Sequence, residues 1–182
     1  MKRRDLPDAV RTGWSLPGTF LHQGEQLADA VKRSLAEKAG VSGRAPQQLH
    51  VFDAPTRDAR GWVLSVAHMD VLPHKALEAL RAPSTTRIAP LPTRVRLPYD
   101  HADIVALAVQ RLRADYLERP DPWHLLDASF TIASLKTIHE TINGEALQKD
   151  TFRRKMLGLL NPLPNLSGGH VGRPAQLFVR ST

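Results

Sequence analysis

Three residues of one short polar turn, Arg57, Asp58 and Arg60, are suited to holding an anion. A guanidinium presents a planar fork of donors that matches phosphate oxygens, so Arg57 and Arg60 together can clasp a diphosphate. The competing reading is a solvated turn that pairs with Asp58. Phe52, just upstream, can stack on a purine or pack in the core. A second concentration of chemistry is basic: Lys149, Arg153, Arg154 and Lys155, with Thr151 among them. Cations on one helix face attract a phosphate backbone, although taken alone such a run also suits a solvated face. Other chemistries find no support. There is no cysteine, hence no disulfide framework and no thiolate metal site. The eight histidines are scattered without an HExxH spacing, so His68, His101 and His170 stand as isolated rings. No GxSxG elbow and no phosphate loop of the GxxxxGK type occurs. Trp14, Trp62 and Trp123 are expected as core or interface anchors.

The elements that must position these residues belong to a chain of 182 residues, 42% hydrophobic and 24% charged, which fits one large domain or two small ones with a core. No apolar run is long enough to span a membrane. The start, MKRRDLPDAV, is basic but lacks the apolar stretch of a secretory signal, so a cytoplasmic location without membrane attachment is expected. The net charge is +7. From Lys149 to Thr182 there are six basic side chains against one acid, a net of +5, and this local excess points to a polyanion more strongly than the total does.

The periodicities predict a mixed α+β chain. Leu27, Val31 and Leu35 make an apolar stripe for a helix over 26–39, with Gly40 as its stop. Residues 47–53 and 62–71 alternate as strands. A short helix follows near 75, then four prolines between Pro83 and Pro98 mark a linker, which divides the chain into domains 1–98 and 99–182. Asp100 is expected to cap a helix over 101–117 with the stripe Ile104, Val105, Ala108, Val109, Leu112 and Tyr116. Thr131 is expected to cap a helix that Asn143-Gly144 ends. A basic helix over 149–160 should bury Phe152, Met156, Leu159 and Leu160, and Asn161-Pro162 should stop it. A glycine-rich tip, Ser167 to Pro174, then leads into a strand over 175–179. Helix, bracing helix, basic helix and glycine-rich hairpin is the order of a winged helix-turn-helix. Its DNA-facing candidates are Lys149, Thr151, Arg153, Arg154 and Lys155 on the third helix and His170 and Arg173 in the wing, with Arg154 foremost.

Residues 13–41 resemble a damaged Nudix box, G-x5-E-x7-R-E-U-x-E-E-x-G-U, where U is a bulky aliphatic. Glu25, Arg33, Leu35, Glu37, Gly40 and Val41 match; Thr19 stands at the first glycine, Ser34 at the glutamate after the arginine, and Lys38 at the last glutamate. In the intact pattern the two replaced glutamates share a helix face and a Mg²⁺ ion. A hydroxyl and an ammonium there oppose metal binding, and Glu37 is expected to pair with Arg33 one turn away. The box is therefore expected to hydrolyse pyrophosphates poorly or not at all, with no catalytic residue, no resident metal and no cofactor; Mg²⁺ enters only if residual hydrolysis exists. Residues 52–67, Leu97 to Ala102, Phe130 to Leu135, Phe152 to Met156 and Gly172 to Ala175 are similar to further segments of one group, the Nudix-related transcriptional regulators of NAD metabolism (NrtR-like).

That resemblance implies an α+β chain: a Nudix-like mixed sheet with helices, shortened at its N-terminus because about a dozen residues precede Gly13, then a winged helix. It implies a homodimer on double-stranded operator DNA, repression of genes of NAD or related sugar and nucleotide metabolism, and response to ADP-ribose or a similar nucleotide. The degenerate box becomes a sensor pocket, with Glu25, Phe52, Arg57, Asp58 and Arg60 as ligand candidates. The alternatives are a Nudix hydrolase of ADP-ribose or related nucleoside diphosphate derivatives and a scaffold whose winged helix binds protein.

Overall fold

Two demands meet at Gly40, and together they fix where the first helix ends. The computed structural model describes residues 13–59, 61–166 and 174–181, and helix α1 spans Leu27–Ala39. Gly40 lies at φ 69°, and its N–H turns back to the Ala36 carbonyl. A Cβ at this position would stand 2.7 Å from the Arg81 carbonyl oxygen, so glycine alone satisfies both the dihedral and the space. The residues that α1 buries most fully are Ala30 and Ser34, whereas of the expected stripe Val31 and Leu35 are half-buried and Leu27 is 38% exposed.

Strands β1 (Gln47–Phe52) and β2 (Ser65–Met69) pair antiparallel, Phe52 opposite Ser65 and Gln47 opposite Met69, with an irregularity between Gln48 and His50. Among the described residues they make a sheet of two antiparallel strands, and no parallel pairing of a mixed sheet is present among them. β2 is shorter than the 62–71 expected, and Trp62 is 88% exposed, so it is not a core residue. Helix α2 (His74–Glu78) follows, and the proline-rich stretch 79–98 carries no regular element.

Helix α3 covers His101–Glu118, with Tyr116 as its buried residue. Thr131 then caps α4 (Ile132–Asn143), its hydroxyl accepting the Ser134 N–H at 3.1 Å, and Gly144 closes that helix at φ 78°. Helix α5 covers Lys149–Leu157, and the Gln148 side chain caps it through the Thr151 N–H at 2.6 Å. The helix stops short of the expected residue 160. Leu159 is 40% exposed and Leu160 opens a strand, β4 (Leu160–Leu166). With β3 (Phe130–Thr131) and β5 (Gln176–Arg180) it forms an antiparallel sheet in the order β3-β5-β4. Asn161-Pro162, expected to stop the helix, lies instead within β4, an edge strand whose register shifts between Pro162 and Leu166, where prolines are tolerated. Phe130, Leu135, Phe152, Met156, Leu160 and Phe178 pack as one core under this sheet.

The chain divides into two compact units, Met1–Asp70 with Glu78–Ala108 and Val71–Leu77 with Val109–Thr182. In the first, the residues described as buried include small or polar ones, Ala30, Ser34, Val41, Asp58 and Ala67. In the second, aromatic and aliphatic side chains make the core, with His139 and Asp121 buried as well.

Candidate functional site

The box residues gather around Arg33. Its guanidinium forks onto both oxygens of Glu25, at 2.8 Å each, and also reaches the Thr19 hydroxyl at 3.0 Å and the Phe20 carbonyl at 3.1 Å. The His22 N–H adds a further bond to Glu25 at 3.0 Å. These donors, Arg33 first and the His22 N–H second, hold the Glu25 carboxyl down at about 2. Glu37, exposed, lies 3.9 Å from Arg33 and is the lesser partner. One turn beyond Ser34, the Lys38 ammonium donates to the Gly18 carbonyl. Ser34 is buried, and its hydroxyl has no hydrogen-bond partner among the described residues. Loop 18–20 is thus pinned to α1 by two cations.

This donor set does not fit a divalent cation. Mg²⁺ needs oxygen ligands in octahedral geometry. Here Glu25 already accepts three N–H donors, the Gly18 carbonyl is taken by an ammonium, and the two helical positions of the replaced glutamates are Ser34 and Lys38. Among the described residues no cluster of three or more histidine, aspartate or glutamate side chains could hold a metal.

Arg57 belongs to a second cluster. It forks onto Asp100, Nε to Oδ2 and Nη2 to Oδ1, each at 2.7 Å, with the arginine side chain almost fully buried. Asp100 therefore serves α3 as the partner of Arg57 rather than as the side-chain cap expected of it. Asp58 is buried beside Arg57, and its main-chain carbonyl accepts the Gly61 N–H at 3.3 Å. Phe52 is half-buried and meets His50 edge-on at 5.1 Å. Next to Asp100, the His101 Nδ1 accepts the Leu16 N–H at 3.2 Å, and burial lowers the pKa of this ring. Residues 16–18 thus link the clusters: Leu16 reaches His101, and Gly18 receives Lys38. Arg60 lies outside the described residues.

In the second unit, α5 turns Phe152 and Met156 inward and leaves Lys149, Asp150, Thr151, Arg153, Arg154 and Lys155 exposed, four cations against one carboxylate. Lys155 is partly committed, since its ammonium donates to the Leu117 carbonyl at the end of α3 at 2.6 Å. His170, Arg173 and the glycine-rich tip 167–173 lie outside the described residues. Behind the basic helix is a polar brace that sequence reasoning missed. Asp121, buried, accepts the Tyr116 hydroxyl at 2.7 Å, the Leu125 and Leu126 N–H groups at 3.0 and 2.9 Å, and Arg180 of β5. Arg180 also donates to the Leu126 carbonyl at 2.8 Å and lies over the Phe130 ring. His139 of α4 is wedged edge-on between Tyr116 and Phe152, with Nε2 bonded to the Pro120 carbonyl at 2.6 Å. Burial pushes its pKa down, so it is a neutral ring near pH 7. No local pattern reveals these contacts, because Asp121 and Arg180 lie 59 residues apart.

Residues 122–179 match the family described as the NrtR DNA-binding winged helix domain. The chain is 30% identical, over 98% of its length and 73% of the relative, to the ADPR responsive transcriptional repressor NtrR of Acinetobacter baylyi. The chain belongs to the NrtR family. Its fold agrees with the crystal structure of Shewanella oneidensis NrtR complexed with a 27mer DNA, with a TM-score of 0.74 at 31% identity over 92% of this chain and 80% of that one. A MutT/nudix family protein from Enterococcus faecalis shares the fold at a TM-score of 0.69 and 23% identity, over 92% of this chain and 73% of that one. The NrtR fold joins a Nudix-like part to a winged helix, which is the α+β architecture expected from the sequence. Among the described residues, no helix is long and apolar enough to cross a membrane.

Proposed function

We propose that the chain is a transcriptional repressor that binds double-stranded operator DNA as a homodimer and lets go in response to an ADP-ribose-like nucleotide. Its reading half is residues 99–182 and its sensing half residues 1–98. The observation that carries this reading is the exposed basic face of α5, set opposite a buried Phe152–Met156 seam and braced by α4, in a chain of the NrtR family. Lys149, Thr151, Arg153 and Arg154 face the groove and its phosphates, with Lys155 contributing charge from its tether on Leu117, and His170 and Arg173 follow the wing. The effector lies in the first unit, its diphosphate among the cations there, with Arg57, Asp58, Arg60, Phe52 and Glu25 lining or shaping its pocket. It acts by favouring one of two dimer arrangements that differ in fit to DNA. The regulated genes belong to NAD or related sugar and nucleotide metabolism. The hydrolase alternative is disfavoured by Ser34 and Lys38, which replace the carboxylates that metal-assisted attack by water needs.

DNase I footprinting of the region upstream of the chain's own gene tests the reading. A protected palindromic segment is expected. Uniform protection, or none at low salt, would contradict it.

A further inference from the structure

At two positions on α1 where the resembling box pattern has carboxylates, the chain presents a hydroxyl, Ser34, and a cation, Lys38. Ser34 and Lys38 are four residues apart and share one face of α1. Two oxygens of this cluster that a metal would seek are already bonded to nitrogen, Glu25 by Arg33 and the His22 N–H and the Gly18 carbonyl by Lys38, while the Glu37 carboxylate points to solvent 3.9 Å from Arg33. An ammonium has three donors, so one bond to Gly18 leaves two. The Ser34 hydroxyl, one turn earlier on the helix, is buried without a partner among the described residues. The resulting surface is built to receive oxygen anions rather than to hold a cation.

We propose that Lys38 is the resident cation of the sensing site: its ammonium, held on the Gly18 carbonyl, stands where a divalent metal would stand and takes an oxygen of the effector's diphosphate, so that the effector binds without metal. This rests on the reading of the first unit as a nucleotide sensor. It adds that the substitutions in the box convert a metal site into a metal-free diphosphate site rather than merely disabling it. Arg33 does not compete for this task, because its fork is fixed on Glu25.

The test uses the full chain and ADP-ribose in calorimetric titrations with EDTA or with millimolar Mg²⁺. The wild type is expected to bind with the same affinity in both. Lys38→Ala should weaken binding at least about tenfold in both, the scale of one charge-assisted hydrogen bond. Lys38→Arg should recover most of the loss, and Lys38→Glu should make binding depend on Mg²⁺. A parallel Mn²⁺ titration followed by electron paramagnetic resonance needs no nucleotide: no stoichiometric uptake is expected for the wild type. Binding lost in EDTA and restored by Mg²⁺, stoichiometric Mn²⁺ uptake by the wild type, or a folded Lys38→Ala variant of unchanged affinity would each overturn the assignment while leaving the sensor reading in place. No ADP-ribose binding under any condition would overturn the sensor reading and this assignment together.

Discussion

Arg57 and Asp100 meet fork to fork, two parallel hydrogen bonds of 2.7 Å joining positions 43 residues apart. The pair fastens the turn after β1 to the residue that precedes α3. With 6% and 15% of their side chains exposed, neither charge has water as a ready substitute partner. Removing one partner leaves the other buried and alone, which costs about 3–5 kcal/mol. Arg57→Ala and Asp100→Ala should each lower the unfolding free energy by about that much in urea titrations, and the double variant should lose less than the sum. Single losses under about 1 kcal/mol, the scale of an exposed pair, would show that the pair is not a fastening.

Glu25 supports the fold only while ionised. Its carboxyl lies at about 2 in the folded chain against 4.5 as the ordinary value, because the Arg33 fork and the His22 N–H favour the charged form. The stabilisation is thus present above pH 4.5 and lost as pH falls toward 2. Wild type and Glu25→Gln, unfolded by denaturant at a series of pH values, should differ most above pH 5 and converge as the acid limb is descended. A constant difference across that range would contradict the assigned pairing.

His139 gives the same sign of pH dependence for a different reason, because here the neutral form is the one the fold favours. Its folded pKa is below the ordinary 6.5 through burial, while the Asp121 carboxylate and the Pro120 carbonyl pull upward and Lys155 pushes downward. The unfolded chain takes up a proton near pH 6.5 that the folded chain refuses, so the contribution is full above that pH and declines below it. His101 carries the same sign in the first unit. His139→Gln retains an N–H for the Pro120 carbonyl without the titration. The wild type should therefore lose more stability than this variant between pH 7.5 and 5.5, and parallel curves would contradict the account.

Arg154 is exposed on α5, whereas Lys155 is tethered to Leu117. Arg154→Ala should abolish operator-specific binding and reduce the salt dependence of residual binding by about one unit of slope if the contact is to phosphate. Lys155→Ala should cost stability as well as affinity. Operator affinity unchanged in Arg154→Ala would remove this residue from the interface.

The legible features were those written in local pattern. The α3 stripe, the Thr131 cap and the Gly40 and Gly144 stops are dictated within a turn or two of helix, and each is where the sequence places it. β4 was not legible, since Pro162 and Pro164 suit an edge strand as well as a loop and only pairing with β5 decides. Nor was the role of Asp100. An aspartate before a helix has the sequence character of a cap whether or not an arginine from a distant turn claims it. The box residues could be read as altered, but the lock of Lys38 on Gly18 is a contact across 20 residues that spacing on the helix does not contain. In the sequence His139 is one polar position on an amphipathic helix, and its burial depends on rings from α3 and α5.

The central claim is that one chain reads DNA and is released by a nucleotide. Fluorescence anisotropy with labelled DNA from the region upstream of the chain's own gene measures both at once: protein is titrated onto the DNA, and ADP-ribose is then added to the complex. The account predicts binding well above that of a scrambled duplex at the same salt, followed by release. Equal affinity for the scrambled duplex, or a complex that ADP-ribose leaves intact, would contradict it.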